Sequence, residues 1–175
     1  MIEKNDIIYI YADGATRNNQ SKENIGAWAS VMRFNGGEKI FCDIEHNTTN
    51  NRMELYSAIS GLNQIKKNNY KIFVTMDSQY VVDGYNIWSL EWRKNGWKKS
   101  DGKPIENQAL WETLITTISQ FQNGIWFVKC EGHSNNEGHN KADLVCNIAM
   151  DKFNEGHKTS GDLLKSVREE YVKRV

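Results

Sequence analysis

The sequence predicts an α/β domain, a five-stranded mixed sheet with its first three strands antiparallel, flanked by helices. Three observations predict it. Short apolar β-rich runs and amphipathic helical stretches follow one another in the order βββαβα…αβα. The triplet Asn35-Gly36-Gly37 between two early runs is a hairpin signal. The chain has 175 residues, 39% of them hydrophobic, which suits one domain with a full core.

The elements follow in order. Residues 6–12 form an apolar β-rich run ending at Asp13-Gly14, read as a buried central strand. Residues 13–25 are polar and read as a loop. Residues 27–34 and 39–45 are the next two strands. A helix is expected from about Asn51, with Leu55, Ile59, Leu62 and Ile65 at 3–4 residue spacing. Asn50 or Asn51 is its expected N-cap, and Lys66 and Lys67 suit its last turn. Residues 70–76 form a short strand before Asp77, and Ser78 caps a short helix through Tyr85. A second long helix is expected over 107–122, stopped by Asn123-Gly124. Residues 125–130 give the fifth strand, 131–139 a loop, and 140–153 a helix. The charged stretch 154–175 reads as a tail, with a short helix over 162–172. The expected domain is therefore 1–153 plus this tail.

Composition excludes some classes. No window approaches 18 apolar residues, so no membrane span or membrane partner is expected. The first residues lack a secretory apolar core. Three cysteines, Cys42, Cys130 and Cys146, read as reduced thiols of a cytoplasmic protein. Net charge is zero, so affinity for nucleic acid has to come from a local patch.

The chemistry is carried by four acids beside apolar runs: Asp13, Glu54, Asp77 and Asp143. If the first and fourth strands are neighbours, Asp13 and Asp77 lie side by side at their ends. Glu54 lies one turn into the first helix, and Asp143 in the first turn of the last. Converging carboxylates repel, and hard divalent cations are the usual remedy. Such a cluster holds two cations about 4 Å apart, one generating the attacking hydroxide and the other stabilising the leaving oxygen. That arrangement suits phosphodiester hydrolysis.

The words around these acids carry a family resemblance. The most specific is Thr48-Thr49-Asn50-Asn51-Arg52-Met53-Glu54-Leu55. Next come Asp77-Ser78-Gln79-Tyr80-Val81, and Gly132-His133-Ser134 followed ten residues after the histidine by Asp143. In this order and spacing the chain resembles the type 1 ribonucleases H, over about residues 6–152. The resemblance implies the ribonuclease H-like fold and endonucleolytic cutting of the RNA strand of RNA–DNA hybrids, as in removing RNA primers and R-loops. It implies two Mg²⁺ ions, for which Mn²⁺ substitutes, and 5′-phosphate and 3′-hydroxyl products. Asp13, Glu54, Asp77 and Asp143 look like the metal-binding carboxylates. His133 looks like the mobile histidine that assists proton transfer or product departure, in a pKa range suited to that work.

The resemblance also implies the substrate grip. Thr16, Asn19, Asn50, Asn51 and Gln79 match or adjoin positions that touch the RNA minor groove, where 2′-hydroxyls distinguish RNA. Thr49 and Asn107 look like parts of a DNA phosphate pocket. Residues 92–103 hold five bases and one acid, a local charge of +4. Trp88, Trp92 and Trp97 interleave with Arg93, Lys94, Lys98 and Lys99. The segment 88–104 resembles the basic handle of many members: bases hold phosphates, and tryptophans stack on sugars or pack the protrusion.

Four positions depart from the pattern. The loop after Asp13-Gly14 reads Ala15-Thr16-Arg17-Asn18-Asn19-Gln20 where members usually have Ser and then an Asn-Pro-Gly stretch. Asn47 stands in place of a frequent arginine, Glu131 of a frequent lysine, and His139 of a common asparagine. None removes a metal ligand. Cys130, His133, His139 and Cys146 offer a rival Cys₂His₂ zinc set, but their spacing is not that of a familiar finger. A recombinase-type nuclease and a non-catalytic hybrid-binding protein are the alternative functions. The handle and the Asn-Arg-Met-Glu word argue against the first, and the complete set of carboxylates against the second. A reverse-transcriptase ribonuclease H fragment is a further alternative, against which the Met1 start and the handle favour a free-standing enzyme; a monomer is expected.

Overall fold

The computed structural model describes residues 6–18, 23–132 and 135–175. Five strands and six α-helices follow in chain order: β1 (Ile7–Asn18), β2 (Asn24–Phe34), β3 (Gly37–His46), α1 (Asn50–Asn63), β4 (Lys71–Met76), α2 (Gln79–Asp83), α3 (Ser89–Lys94), α4 (Gln108–Ile118), β5 (Ile125–Lys129), α5 (Glu137–Asn154) and α6 (Ser160–Arg174). A π-helical turn, Gly84–Trp88, joins α2 to α3. The sheet order is β3-β2-β1-β4-β5. β1 pairs antiparallel with β2, and β2 with β3, whereas β1–β4 and β4–β5 are parallel. This is the mixed sheet expected from the sequence. Asn35 and Gly36 turn the β2–β3 hairpin with φ of 50° and 76°, the left-handed pair that a two-residue hairpin demands.

Both faces of the sheet are covered. Ile8, Ile10 and Ala12 of β1 join Ile72, Val74 and Met76 of β4 beneath Leu55, Ala58 and Leu62 of α1 and Trp111 and Leu114 of α4. Ile25, Ala27, Ala29 and Val31 of β2 and Cys42 of β3 pack under Val145, Ile148 and Ala149 of α5. Period-2 alternation along the strands and the 3–4 spacing along the helices produce these two layers.

Several boundaries differ from expectation. β1 continues through Asn18, because its polar end stays paired to β2 as far as Asn18↔Asn24. Arg17 there is held by Asp151, at 2.6 Å, and by Asn147, at 2.5 Å. The N-cap of α1 is Thr49, whose hydroxyl accepts the Arg52 N–H at 3.3 Å. That helix ends at Asn63, so Lys66 and Lys67 lie beyond it. α5 begins at Glu137, since the Asn136 side chain accepts the His139 N–H at 3.0 Å. His139 is therefore helical, and Asp143 falls in the second turn. α6 is fifteen residues long, and Leu163, Val167 and Tyr171, one turn apart, bury an apolar stripe in the α5 core. The Tyr171 hydroxyl donates to Glu38 at 2.6 Å. No described helix is long and apolar enough to cross a membrane.

Candidate active site

The register of the sheet brings the first two acids together. Parallel pairing of β1 with β4 ends at Tyr11↔Thr75. Two residues further along each chain lie Asp13, inside β1 rather than at its end, and Asp77, just past β4. α1 then crosses β1 so closely that a Cβ on Gly14 would lie 2.4 Å from the backbone at Met53 and Glu54. Only glycine permits that approach, and it carries Glu54 to the Asp13 carboxylate. From the other side of the cluster, α5 presents His139 and Asp143 four residues apart, hence on one helical face.

The cluster is dry. Asp13 is 6% exposed, Glu54 7% and His139 3%. Burial pushes the Asp13 carboxyl up to about 6, and the Asp77 and Asp143 charges add to this while His139 and the Gly14 N–H oppose it. Burial raises the Glu54 carboxyl well above the usual range, helped by Asp13 and Asp77. Among the described residues, Glu54 Oε2 has no hydrogen-bond partner. Burial presses the His139 imidazole down, but Asp77, Asp13 and Asp143 outweigh it and leave its pKa raised. Its Nε2 lies 3.4 Å from Asp77 Oδ1 and 3.7 Å from Asp13 Oδ1. Asp13, Asp77 and His139 each offer a ligand atom within 4.8 Å of the others. Buried like charges with an orphaned carboxylate oxygen fit a divalent cation, whose charge removes both penalties.

Beside the acids, the Thr16 hydroxyl donates to Asn50 Oδ1 at 2.7 Å, joining two expected groove contacts. Asn51 and Gln79 are exposed, and Gln79 donates to Asp83. Arg52 makes two hydrogen bonds to Glu45, at 2.7 and 2.9 Å, and stiffens the start of α1. Asn107 starts α4 in a left-handed conformation (φ 57°), and its side chain donates to the Tyr80 hydroxyl. In the handle, Trp92 packs edge-on to buried Trp111, and Trp97 is half-buried against the same core. Trp88 is exposed beside Trp92. Arg93, Lys94, Lys98 and Lys99 are exposed, with Lys94 paired to Glu91 and Lys99 to Glu106, each at 3.2 Å. Asn19 and His133 lie outside the described residues.

The match to known proteins decides the family. The RNase H family model matches residues 5–150. The chain belongs to the RNase H family. It is 42% identical to a ribonuclease H of Caldanaerobacter subterraneus subsp. tengcongensis over 153 residues, covering 87% of this chain and 96% of that one. A ribonuclease H of Rhizobium etli is 38% identical over 151 residues, 86% of this chain and 96% of the relative. The fold superposes on the crystal structure of LC9-RNase H1, a type 1 RNase H with the type 2 active-site motif, with a TM-score of 0.73 and 26% identity, over 87% of this chain and 75% of that one. Members of this family are generally metal-dependent, which agrees with the acid cluster.

One residue of the cluster was not singled out for this site by the sequence: His139. The sequence puts it in a loop, where it stands only as a departure from the family pattern and as a member of the rival zinc set. Its spacing to Asp143 was the available signal once the Asn136 cap is recognised. Cys146 has no place in such a zinc set, because its thiol faces the Asp13 and Ala27 carbonyls inside the core.

Proposed function

We propose that this RNase H is an endonuclease that hydrolyses the RNA strand of RNA–DNA hybrids. The observation that carries this reading is the convergence of buried Asp13 and Glu54 with Asp77, beside Asp143, on an RNase H fold. Asp13, Glu54, Asp77 and Asp143 would hold two Mg²⁺ ions, with Mn²⁺ as a substitute. When bound, the ions activate water and stabilise charge on the leaving oxygen.

The chain's own groups supply position and exclusion of water. The attacking water oxygen bonds to phosphorus in line with the departing 3′-oxygen, the P–O3′ bond breaks, and the 3′-oxygen takes a proton. This leaves 5′-phosphate and 3′-hydroxyl ends. The low exposure of Asp13 and Glu54 keeps their charges poorly screened, so they act strongly on what lies between them. His133, next to Gly132, is assigned to proton transfer or product departure. Gly132 supports that place: a Cβ there would lie 2.6 Å from Asp77 Oδ2.

Thr16, Asn19, Asn50, Asn51 and Gln79 are assigned to 2′-hydroxyls of the RNA strand, and Thr49 and Asn107 to a DNA phosphate. Arg93, Lys94, Lys98 and Lys99 are assigned to the DNA backbone, with Trp88 as the exposed stacking surface. The inward packing of Trp92 and Trp97 favours a role in shaping the handle. Catalytic domain and handle lie in 1–153, and we read the working unit as a cytoplasmic monomer. The test is end analysis. Fragments cut from a hybrid in Mg²⁺ should accept ligation at the 5′ end and polymerase extension at the 3′ end. Fragments bearing 3′-phosphates or cyclic phosphates would contradict the mechanism.

A further inference from the structure

Among the described residues, one buried polar side chain in this cluster has neither ring nitrogen in a hydrogen bond: His139. The side chain is 3% exposed, and leaving both nitrogens of a buried imidazole without a hydrogen bond costs free energy that the nearby carboxylates offset only in part. Its Nε2 is aimed between two carboxylates, 3.4 Å from Asp77 Oδ1 and 3.7 Å from Asp13 Oδ1. Atoms bound to one cation at about 2.1 Å lie about 3 Å apart in octahedral and about 3.4 Å apart in tetrahedral geometry. The two nitrogen-to-oxygen separations stand near that spacing before any ion draws them in, and all three donors lie within 4.8 Å of one another. The helix reinforces the placement. His139 and Asp143 are an i, i+4 pair, the spacing that puts two ligands on one helical face.

We propose that His139 Nε2 is a nitrogen ligand of the cation held by Asp13 and Asp77, giving this centre a stronger preference for borderline cations such as Co²⁺ and Zn²⁺ over Mg²⁺ than the same carboxylates alone would have. The chemistry follows from ligand softness. Mg²⁺ favours oxygen donors and its own waters, whereas imidazole suits the later first-row ions. A histidine that only steadied Asp77 from behind would favour every cation alike. The inference rests on reading this cluster as a metal centre, but its test needs no nucleic acid and no turnover.

The probe is Co²⁺ added to the full chain, read by proton NMR and by calorimetry beside Mg²⁺. The bound wild type should show a strongly shifted, exchangeable imidazole N–H signal, absent from His139→Asn. That variant should lose at least about tenfold in Co²⁺ affinity and change less than about threefold toward Mg²⁺. If His139→Asn does not fold, a variant with His46→Gln, His133→Gln and His157→Gln together should retain the shifted signal. Absence of that signal in the Co²⁺-bound wild type overturns the proposal, as does an equal loss of Co²⁺ and Mg²⁺ affinity in His139→Asn. Loss of hybrid cleavage in a separate Mg²⁺ assay would instead count against the functional reading, so the two failures are distinguishable.

Discussion

The acid centre and the basic handle are built on opposite principles. Asp13, Glu54 and His139 are buried on rigid elements, and their charges sit at a cost to the metal-free fold. The handle keeps its tryptophans partly inside and its Arg93, Lys94, Lys98 and Lys99 outside, where charge costs almost nothing. Chemistry that needs strong fields requires the first design, and sequence-independent grip on phosphates requires only the second. Changes in the centre should therefore alter rate and stability in opposite directions, while changes in the handle should alter binding alone.

The largest expected effect is on rate. Asp77→Asn keeps the shape and removes one charge from the cluster. Cleavage should fall at least about 10³-fold, about 4 kcal/mol in the barrier, with hybrid affinity held within a few-fold. A variant cutting at the parental rate would remove Asp77 from the site. Next comes the handle. Replacing Arg93, Lys94, Lys98 and Lys99 by alanine should flatten the salt dependence of hybrid binding by about 0.9 per lost phosphate contact, up to about 3.6, without changing the melting temperature much. An unchanged slope would reduce the handle to a solvated loop.

The third effect sharpens the contrast. The Asp13 carboxyl is raised from 3.8 to about 6 in the fold. Between those values the unfolded chain has lost its proton while the fold still holds it. Stability from this group therefore falls as pH rises through that window, and stays reduced above it. Metal-free Asp13→Asn should melt roughly 5 °C higher than wild type at pH 7.5, on the order of 1–3 kcal/mol, while losing cleavage. Calorimetry at pH 4 should show the difference much reduced. Added Mg²⁺ should raise the wild-type melting temperature more at pH 7.5 than at pH 5. The smallest effect concerns a cap: Thr49→Ala should cost about 1 kcal/mol in chemical denaturation by exposing the Arg52 N–H.

Much of this was legible in the sequence. The five strands follow from apolar runs, the hairpin from Asn35-Gly36-Gly37, and the meeting of Asp13 with Asp77 from runs ending in acids once the first and fourth strands are neighbours, as they are. What was not legible has physical reasons. The end of β1 is polar and looks like a loop, because pairing to β2 and the ion pair of Arg17, more than apolar alternation, hold it in the sheet. Residues 131–139 are rich in Gly, Ser and Asn, yet Asn136 is a helix cap, and that hides the helical setting of His139. The charged stretch 154–175 conceals an apolar stripe of only three side chains, Leu163, Val167 and Tyr171. Local composition describes surfaces well, but an element held mainly by long-range partners does not show in it.

The most direct test of the central claim offers one end-labelled RNA as a hybrid with DNA, as duplex RNA and as a single strand, each with Mg²⁺ and with chelator. Cutting confined to the hybrid, and only with metal, is the predicted result. Cutting of duplex DNA controls, or tight hybrid binding with no cutting in Mg²⁺ or Mn²⁺, would contradict it.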